Sequence, residues 1–174
     1  MFRRVRSQLR TSADIWLAAR MTLWACCLPA LKHIVPLPVL VRVVASRRRS
    51  DRSYSNYEIP LTHLVHPTHQ TRREDVLAHL ATLARWSCRL TRWSTGGNCL
   101  ERGLVLYRFL SAAGFDPSLV AGFRKTDDGQ LRGHAWVVVD GNPVGESAAS
   151  LEDFERALAF GPDGLALDRK PACI

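Results

Sequence analysis

A change of hydrophobic pattern at Gly114 most constrains the fold of this 174-residue chain. Before that glycine, apolar residues recur at the three- and four-residue steps of helices. After it, short apolar runs alternate with turn residues, a pattern typical of strands. Gly114 suits a helix C-terminal cap, and Pro117 prevents the helix from continuing. The sequence therefore predicts helices followed by a small antiparallel sheet, an α+β fold.

The elements on the two sides of Gly114 have separate start and stop signals. Helices are predicted at about residues 13–31, 72–90 and 99–113. Thr71 and Glu74 form a capping box for the second helix, and residues 39–44 indicate a further short helix or strand. Strands are predicted at Leu119–Phe123, His134–Val139 and Pro143–Ser147, followed by a last helix at Leu151–Phe160 that Ser150 caps. Asp140-Gly141-Asn142 is the predicted hairpin turn.

Positive charge is concentrated at the N-terminal end. Residues 1–52 contain eleven Lys or Arg and two acids, a net charge of +9, whereas residues 53–174 contain thirteen basic and fourteen acidic residues, a net charge of −1. We interpret residues 1–52 as a basic, apolar helical segment and residues 53–174 as the main domain, with a linker at Arg47–Ser53. The basic segment is either a solvated face or a dock for an acidic peptide, a partner protein, a membrane surface or nucleic acid.

Two classes of N-terminal function are not expected. Arg20 and Lys32 bracket only eleven uncharged residues, shorter than the ~20 residues of a transmembrane helix, so no spanning segment is predicted. The aromatic residues of this segment fall on an apolar helical face and are not interleaved with the arginines, so nucleic-acid binding is not expected either.

The cysteines and histidines exclude a disulfide framework and disfavour a metal centre. Five scattered cysteines without a Cys-x-x-Cys pair suit a reducing compartment, and we predict a cytoplasmic protein. His63, His66 and His69 are spaced three apart, but Pro67 interrupts a helix there and no acid or cysteine completes a ligand set. No metal site is predicted. Cys88 falls on the apolar face of a predicted helix, which indicates a buried, inert thiol.

Cys99 and His134 have the contexts of a nucleophile and its base. Cys99 follows a Gly96-Gly97 turn at the start of a helix, where unpaired backbone amides favour a thiolate and can hold an oxyanion. His134 begins a strand, with Trp136 on the same face. We expect the imidazole to take the thiol proton and later to protonate the leaving group.

The acid that orients His134 has two candidates. Asp140 is roughly 20 Å away along an extended strand, at about 3.3 Å per residue, and it lies in the turn. Glu146 lies on the return strand. With a three-residue loop, Glu146 projects from the same sheet face as His134 and lies diagonally one residue pair away from it. A two-residue loop would place Glu146 on the opposite face. We predict Cys99, His134 and Glu146 as the catalytic residues.

Four stretches resemble the transglutaminase-like cysteine peptidases of lasso-peptide biosynthesis, the leader-peptidase half of the B-type proteins. The stretches are Cys99–Tyr107, Gly114-Phe115, Leu119–Phe123 and His134–Gly141, and the similarity extends over about residues 70–150. The resemblance implies a papain-like or transglutaminase-like core and a Cys-His-acid triad. It also implies ATP-independent removal of a leader peptide, with no cofactor. The acid of that family is usually Asp, and the matching residue here is Glu146.

The same resemblance implies partners, and other functions stay open. It implies a precursor peptide as substrate, a separate leader-binding protein and a lasso cyclase that acts on the released core. One alternative is acyl transfer by the same three residues. Another is a non-catalytic adaptor that binds a peptide or a membrane and has an inert thiol.

Overall fold

A computed structural model describes residues 12–45, 69–91 and 98–167. These parts of the chain contain four α-helices, a 3₁₀ turn at Ala148–Leu151 and one four-stranded antiparallel sheet. The helices are α1 (Ser12–Ile34), α2 (Leu37–Ala45), α3 (His69–Leu90) and α4 (Cys99–Ala112). The strands are β1 (Pro117–Lys125), β2 (Leu131–Val139), β3 (Asn142–Pro143) and β4 (Glu155–Phe160). The predicted α+β fold is confirmed.

Helix α4 lies at the centre of the molecule. Its residues from Gly103 to Leu110 are buried, and the hydroxyl of Tyr107 donates a hydrogen bond of 2.6 Å to the carbonyl of Gly161. Beyond the helix, Gly114 adopts φ 87°, a conformation that glycine reaches without steric cost. A buried central helix fixes the position of its own N-terminus, where Cys99 lies.

Helices α1 and α2 contribute to the same core as α3 and α4. Met21, Ala25 and Leu28 of α1 and Leu40 and Val41 of α2 are each at most 1% exposed. By length and composition α1 could also cross a membrane: its apolar window has a mean hydropathy of 1.2, and 22% of that window is buried in the fold. The predicted boundary near residue 52 lies outside the described residues.

The sheet has the order β3-β2-β1-β4, and its register places His134 opposite Gly122. Val137 and Val139 of β2 belong to the core, so alternation along the strand places His134 and Trp136 on the other face. At Gly103 the helix α4 approaches the sheet closely. A Cβ there would lie 3.0 Å from Cδ1 of Leu119, tighter than ordinary packing.

Two predictions about the C-terminal half are wrong. Residues 155–160, predicted as part of a helix, form strand β4, which pairs with the free edge of β1 from Leu119 to Phe123. The return strand of the hairpin has only two residues, and the loop is the two-residue turn Asp140-Gly141, with φ values of 50° and 81°. At residues 155–160 pairing with β1 outweighs the helical preference of the segment. At the hairpin the Asp-Gly pair forms the two-residue turn that its local preference favours.

Candidate active site

Cys99 is the first residue of α4, as the sequence predicts. The preceding Asn98 does not cap the helix with its side chain; instead, its amide donates a hydrogen bond of 2.9 Å to the carbonyl of Cys88 at the end of α3. Among the described residues, the Asn98 side chain thus leaves the first-turn amides of α4 uncapped. Such amides can stabilise a thiolate or an oxyanion beside Cys99. The Gly96-Gly97 turn lies outside the described residues.

His134 and Glu146 are in direct contact. Nε2 of His134 lies 2.6 Å from Oε2 of Glu146, and both side chains are mostly buried, with 21% and 16% exposed. A carboxylate at Nε2 fixes the orientation of the ring. Because Nε2 is engaged, Nδ1 is the ring nitrogen that can exchange a proton with a thiol.

Arg102 connects Glu146 to the helix of Cys99. Its Nη2 donates a hydrogen bond to Oε1 of Glu146, the oxygen that does not contact His134. Arg102 lies three residues after Cys99, about one helical turn along α4. The structure thus joins His134, Glu146 and Arg102 by hydrogen bonds, and Cys99 lies one helical turn before Arg102. Among the described residues no hydrogen bond joins the Cys99 thiol to the imidazole.

Glu146 reaches His134 by a different route from the predicted one. With the observed pairing of Val138 with Pro143, a regular strand would place Glu146 on the opposite face. The ladder ends when the amide of Val144 donates to the carbonyl of Val137 at 2.9 Å, and Gly145 then turns the chain with φ 77°. A Cβ at Gly145 would lie 2.9 Å from Cβ of Ala81, so both conformation and space favour glycine.

Asp140, the alternative acid, lies at the hairpin tip. Its carboxylate accepts a hydrogen bond of 2.8 Å from Arg73, and its side chain is 62% exposed. The structure therefore brings His134 together with Glu146, whereas the contact of Asp140 is with helix α3.

Aromatic rings cover the imidazole. Trp136 stacks on His134 with a centroid distance of 6.0 Å and an interplanar angle of 19°, on the predicted face. Phe154 lies 5.3 Å from the His134 ring on another side. The small size of Gly122 is required here, because a Cβ would lie 2.9 Å from Cη2 of Trp136. These rings limit access of water to the His134–Glu146 pair.

Sequence reasoning missed two neighbours of the site, Arg102 and Phe154. The three-residue spacing of Arg102 from Cys99 was a usable signal, because residues three apart share a helix side. Phe154 had no such signal, since it precedes a strand that was predicted as a helix. Its position depends on the pairing of β4 with β1.

Cys88 lies near the site but is poorly suited to react. It is 2% exposed, and burial raises the pKa of its thiol from 9.0 to about 11. Two smaller electrostatic effects act on the same pKa: Arg102 lowers it and Glu101 raises it. The prediction that Cys88 is buried is confirmed. A thiol that remains protonated near neutral pH is a weak nucleophile.

A groove beside the site runs between α3 and the β2–β3 hairpin. It has a volume of ≈ 780 Å³, within the roughly 300–1,000 Å³ of typical ligand sites. Arg73 and Arg85 line it from α3, and Gly145, next to Glu146, lies at one end. Arg85 also donates a hydrogen bond of 2.7 Å to the Gly145 carbonyl. The groove therefore leads from the hairpin tip to the acid of the site.

A metal centre finds no support in the described part of the chain, where no group of three His, Cys, Asp or Glu side chains is arranged to hold an ion. Of the three spaced histidines, His63 and His66 lie outside the described residues. The side chains that converge, a thiol at a helix start and an imidazole held by a carboxylate, are those of nucleophilic catalysis.

A comparison with known protein families agrees with this chemistry. The model of the transglutaminase-like superfamily matches residues 39–159, from within α2 to within β4. Neither a curated protein nor a solved structure matches the chain. Proteins of this superfamily are generally cysteine peptidases or transferases.

Proposed function

Because this chain belongs to the transglutaminase-like superfamily, we propose that it is a cysteine peptidase that removes the leader from a lasso-peptide precursor. The observation that most supports catalysis is the 2.6 Å contact between His134 and Glu146, beside the helix that begins at Cys99. The leader-peptidase role rests on the sequence resemblance of residues 70–150.

The first half of the reaction forms an acyl-enzyme. The Cys99 thiol transfers its proton to Nδ1 of His134, and the thiolate attacks the carbonyl carbon of the scissile bond. The first-turn amides of α4 stabilise the resulting oxyanion. When the C–N bond breaks, the imidazolium of His134 protonates the leaving amine, which departs, and the thioester remains on Cys99.

The second half hydrolyses the thioester. Nδ1 of His134 accepts a proton from a water molecule, and the hydroxide attacks the thioester carbonyl. The leader carboxylate leaves, and the proton on His134 returns to the Cys99 thiolate. Throughout, Glu146 holds the ring and stabilises its positive charge, while Arg102 holds the second carboxylate oxygen.

The groove between α3 and the hairpin is the proposed site of the precursor. Arg73 and Arg85 are bonded to Asp140 and to the Gly145 carbonyl, and their remaining N–H groups can donate to backbone carbonyls of an extended peptide. The resemblance adds a leader-binding protein that presents the precursor and a lasso cyclase that uses the released core.

The test is incubation of the full chain with a precursor peptide. The short peptide and the leader-binding protein encoded beside this chain's gene would be added without ATP, and product masses measured. We expect two fragments whose masses sum to that of the peptide plus one water, with a Cys99→Ala variant inactive. Intact peptide in every combination would refute the peptidase function.

Acyl transfer is distinguished in the same experiment. Adding a primary amine or an arylamine supplies an acceptor that competes with water for the thioester. Products that carry the amine, in place of the free leader carboxylate, would assign the site to a transferase.

A further inference from the structure

Helix α1 has its charged side chains turned toward the protein. Every Asp, Arg and Lys of this helix makes a contact within the fold: Asp14 lies 3.2 Å from His79, Arg20 lies 5.9 Å from the ring centroid of Phe109, and Lys32 lies 2.5 Å from Glu101. The usual surface helix has the opposite arrangement, with charges directed to water and apolar residues to the core.

The outward side of α1 is uncharged over most of its length. We call it the outer face; its exposed members are Ile15, Trp16, Ala19, Leu23, Cys26, Cys27, Ala30 and Ile34. Four of these are large apolar side chains between 59% and 79% exposed. The exposed polar residues Ser12 and His33 lie at its two ends. Twenty-three residues extend about 34 Å at 1.5 Å per residue, so the face is long and continuous.

The net charge of the N-terminal segment favours one class of partner for this face. Residues 1–52 carry a net charge of +9, including four arginines before residue 11, and Arg42 is exposed on the adjoining helix α2. An exposed apolar helical face in a segment with this excess of basic residues is complementary to an anionic lipid surface, whose headgroups attract cations and whose acyl boundary accepts apolar side chains. We propose that the outer face of α1 binds an anionic membrane surface.

The contacts of α1 favour a helix that lies in the membrane plane. If α1 spanned the bilayer, Met21, Ala25 and Leu28 would leave the protein core, and the contacts of Asp14, Arg20 and Lys32 would break. A helix that lies flat keeps all of these contacts and buries only the outer face. The folded domain then replaces the polar side that an isolated interfacial helix presents to water.

The first test is sedimentation of the full chain with preformed vesicles. Phosphatidylcholine vesicles with and without phosphatidylglycerol are compared at low and high salt. We expect binding to the anionic vesicles, and release by high salt, because screening weakens the attraction to the headgroups. Equal binding to neutral vesicles, or none to either, would overturn the proposal. Binding that resists both high salt and alkaline carbonate would indicate insertion and would overturn the in-plane arrangement.

A pair of leucine variants isolates the face. Leu23 on the outer face is 65% exposed, and Leu131 at the start of β2 is 69% exposed. We expect Leu23→Glu to weaken vesicle binding roughly tenfold or more, because it removes apolar burial and adds a negative charge. Leu131→Glu makes the same substitution at a leucine of similar exposure outside the outer face, and it should leave vesicle binding unchanged. Equal loss in both variants would contradict a specific face.

Thiol protection tests the wild-type chain directly. Cys26 and Cys27 are exposed on the outer face, whereas Cys99 belongs to the site. On anionic vesicles, labelling of Cys26 and Cys27 by a charged maleimide should fall several-fold, while labelling of Cys99 stays constant. Light scattering without lipid measures whether the chain forms a dimer, the alternative in which a second copy covers the outer face. A dimer that Leu23→Glu dissociates, together with no vesicle protection, would assign the face to a second copy of the chain.

Discussion

The end of α3 and the start of α4 each contain a cysteine, and the surroundings of the two thiols differ in how well they suit a nucleophile. Cys88 is enclosed by the core, and burial raises its pKa to about 11. Cys99 is partly exposed at a helix N-terminus whose first-turn amides the Asn98 side chain does not cap. Arg102 is close to both regions, because it acts on Cys88 electrostatically and follows Cys99 by three residues.

The difference shows that a nearby cation does not suffice to activate a thiol. Arg102 lowers the pKa of Cys88, but desolvation has the larger effect and raises it. At Cys99 the backbone amides are present without deep burial. The side chain of Asn98 joins the two regions by its hydrogen bond to Cys88, and so it is used for packing and not for capping.

The largest expected effect separates the two thiols by activity. Cys99→Ala should lower precursor cleavage by roughly 10³-fold or more, because it removes the nucleophile. His134→Ala should do the same. Cys88→Ala should retain cleavage within about threefold, since a buried protonated thiol takes no part in the chemistry. Initial rates from product masses measure this, and circular dichroism verifies folding. Retained activity in Cys99→Ala would remove the basis of the mechanism.

The next effect concerns the acid beside the Cys99 region. Glu146→Ala should lower kcat by roughly 10²–10⁴-fold, because His134 loses the group that orients its ring. Asp140→Ala is the matched control, since its exposed pair with Arg73 contributes little, and activity should stay within about threefold. A larger loss in Asp140→Ala than in Glu146→Ala would show that the assignment of the acid is wrong.

A smaller effect separates the thiols by reactivity. In the folded protein at mildly acidic pH, iodoacetamide should label Cys99 at least about tenfold faster than Cys88, because only the thiolate reacts and Cys88 is also shielded. Peptide mapping by mass spectrometry gives both rates in one sample. Equal, slow labelling of both cysteines would favour an adaptor with an inert thiol at Cys99.

The smallest effect is the pH dependence of stability due to Cys88. Its pKa is raised in the folded protein, so its contribution is complete below pH 9 and is lost as pH rises from 9 toward 11. The loss amounts to roughly 2–3 kcal/mol at 1.36 kcal/mol per pKa unit. Urea unfolding at several pH values, for wild type and Cys88→Ala, should give a stability difference that changes over this interval. A constant difference would contradict it; Cys26→Ala, at an exposed thiol, is the control.

Local signals predicted the helix of the nucleophile well. The start of α4 at Cys99 and its end before Gly114 follow from a turn, an apolar periodicity and a glycine cap, which all act within a few residues. The same kind of signal failed for residues 155–160, where Glu, Arg, Ala and Leu favour a helix. These residues instead form a strand because they pair with the open edge of β1, which lies more than thirty residues away in the chain.

The acid shows how a correct residue can follow from an incorrect register. A three-residue loop was expected to direct Glu146 to His134, and the observed two-residue turn would have directed it away. Gly145 reverses that outcome by leaving the ladder at a positive φ, beside Ala81 of α3. The contact therefore depends on helix packing that no hairpin rule contains.

The sequence by itself determined the α+β order of the chain, the position of Cys99 at a helix start and the strand that carries His134, because caps, turns and periodicity are local. Only the tertiary structure decided which carboxylate meets the imidazole, which segment completes the sheet and which side of α1 faces outward. These depend on edges and surfaces that segments far apart in the chain bring together, and their energies exceed the preference of any single segment.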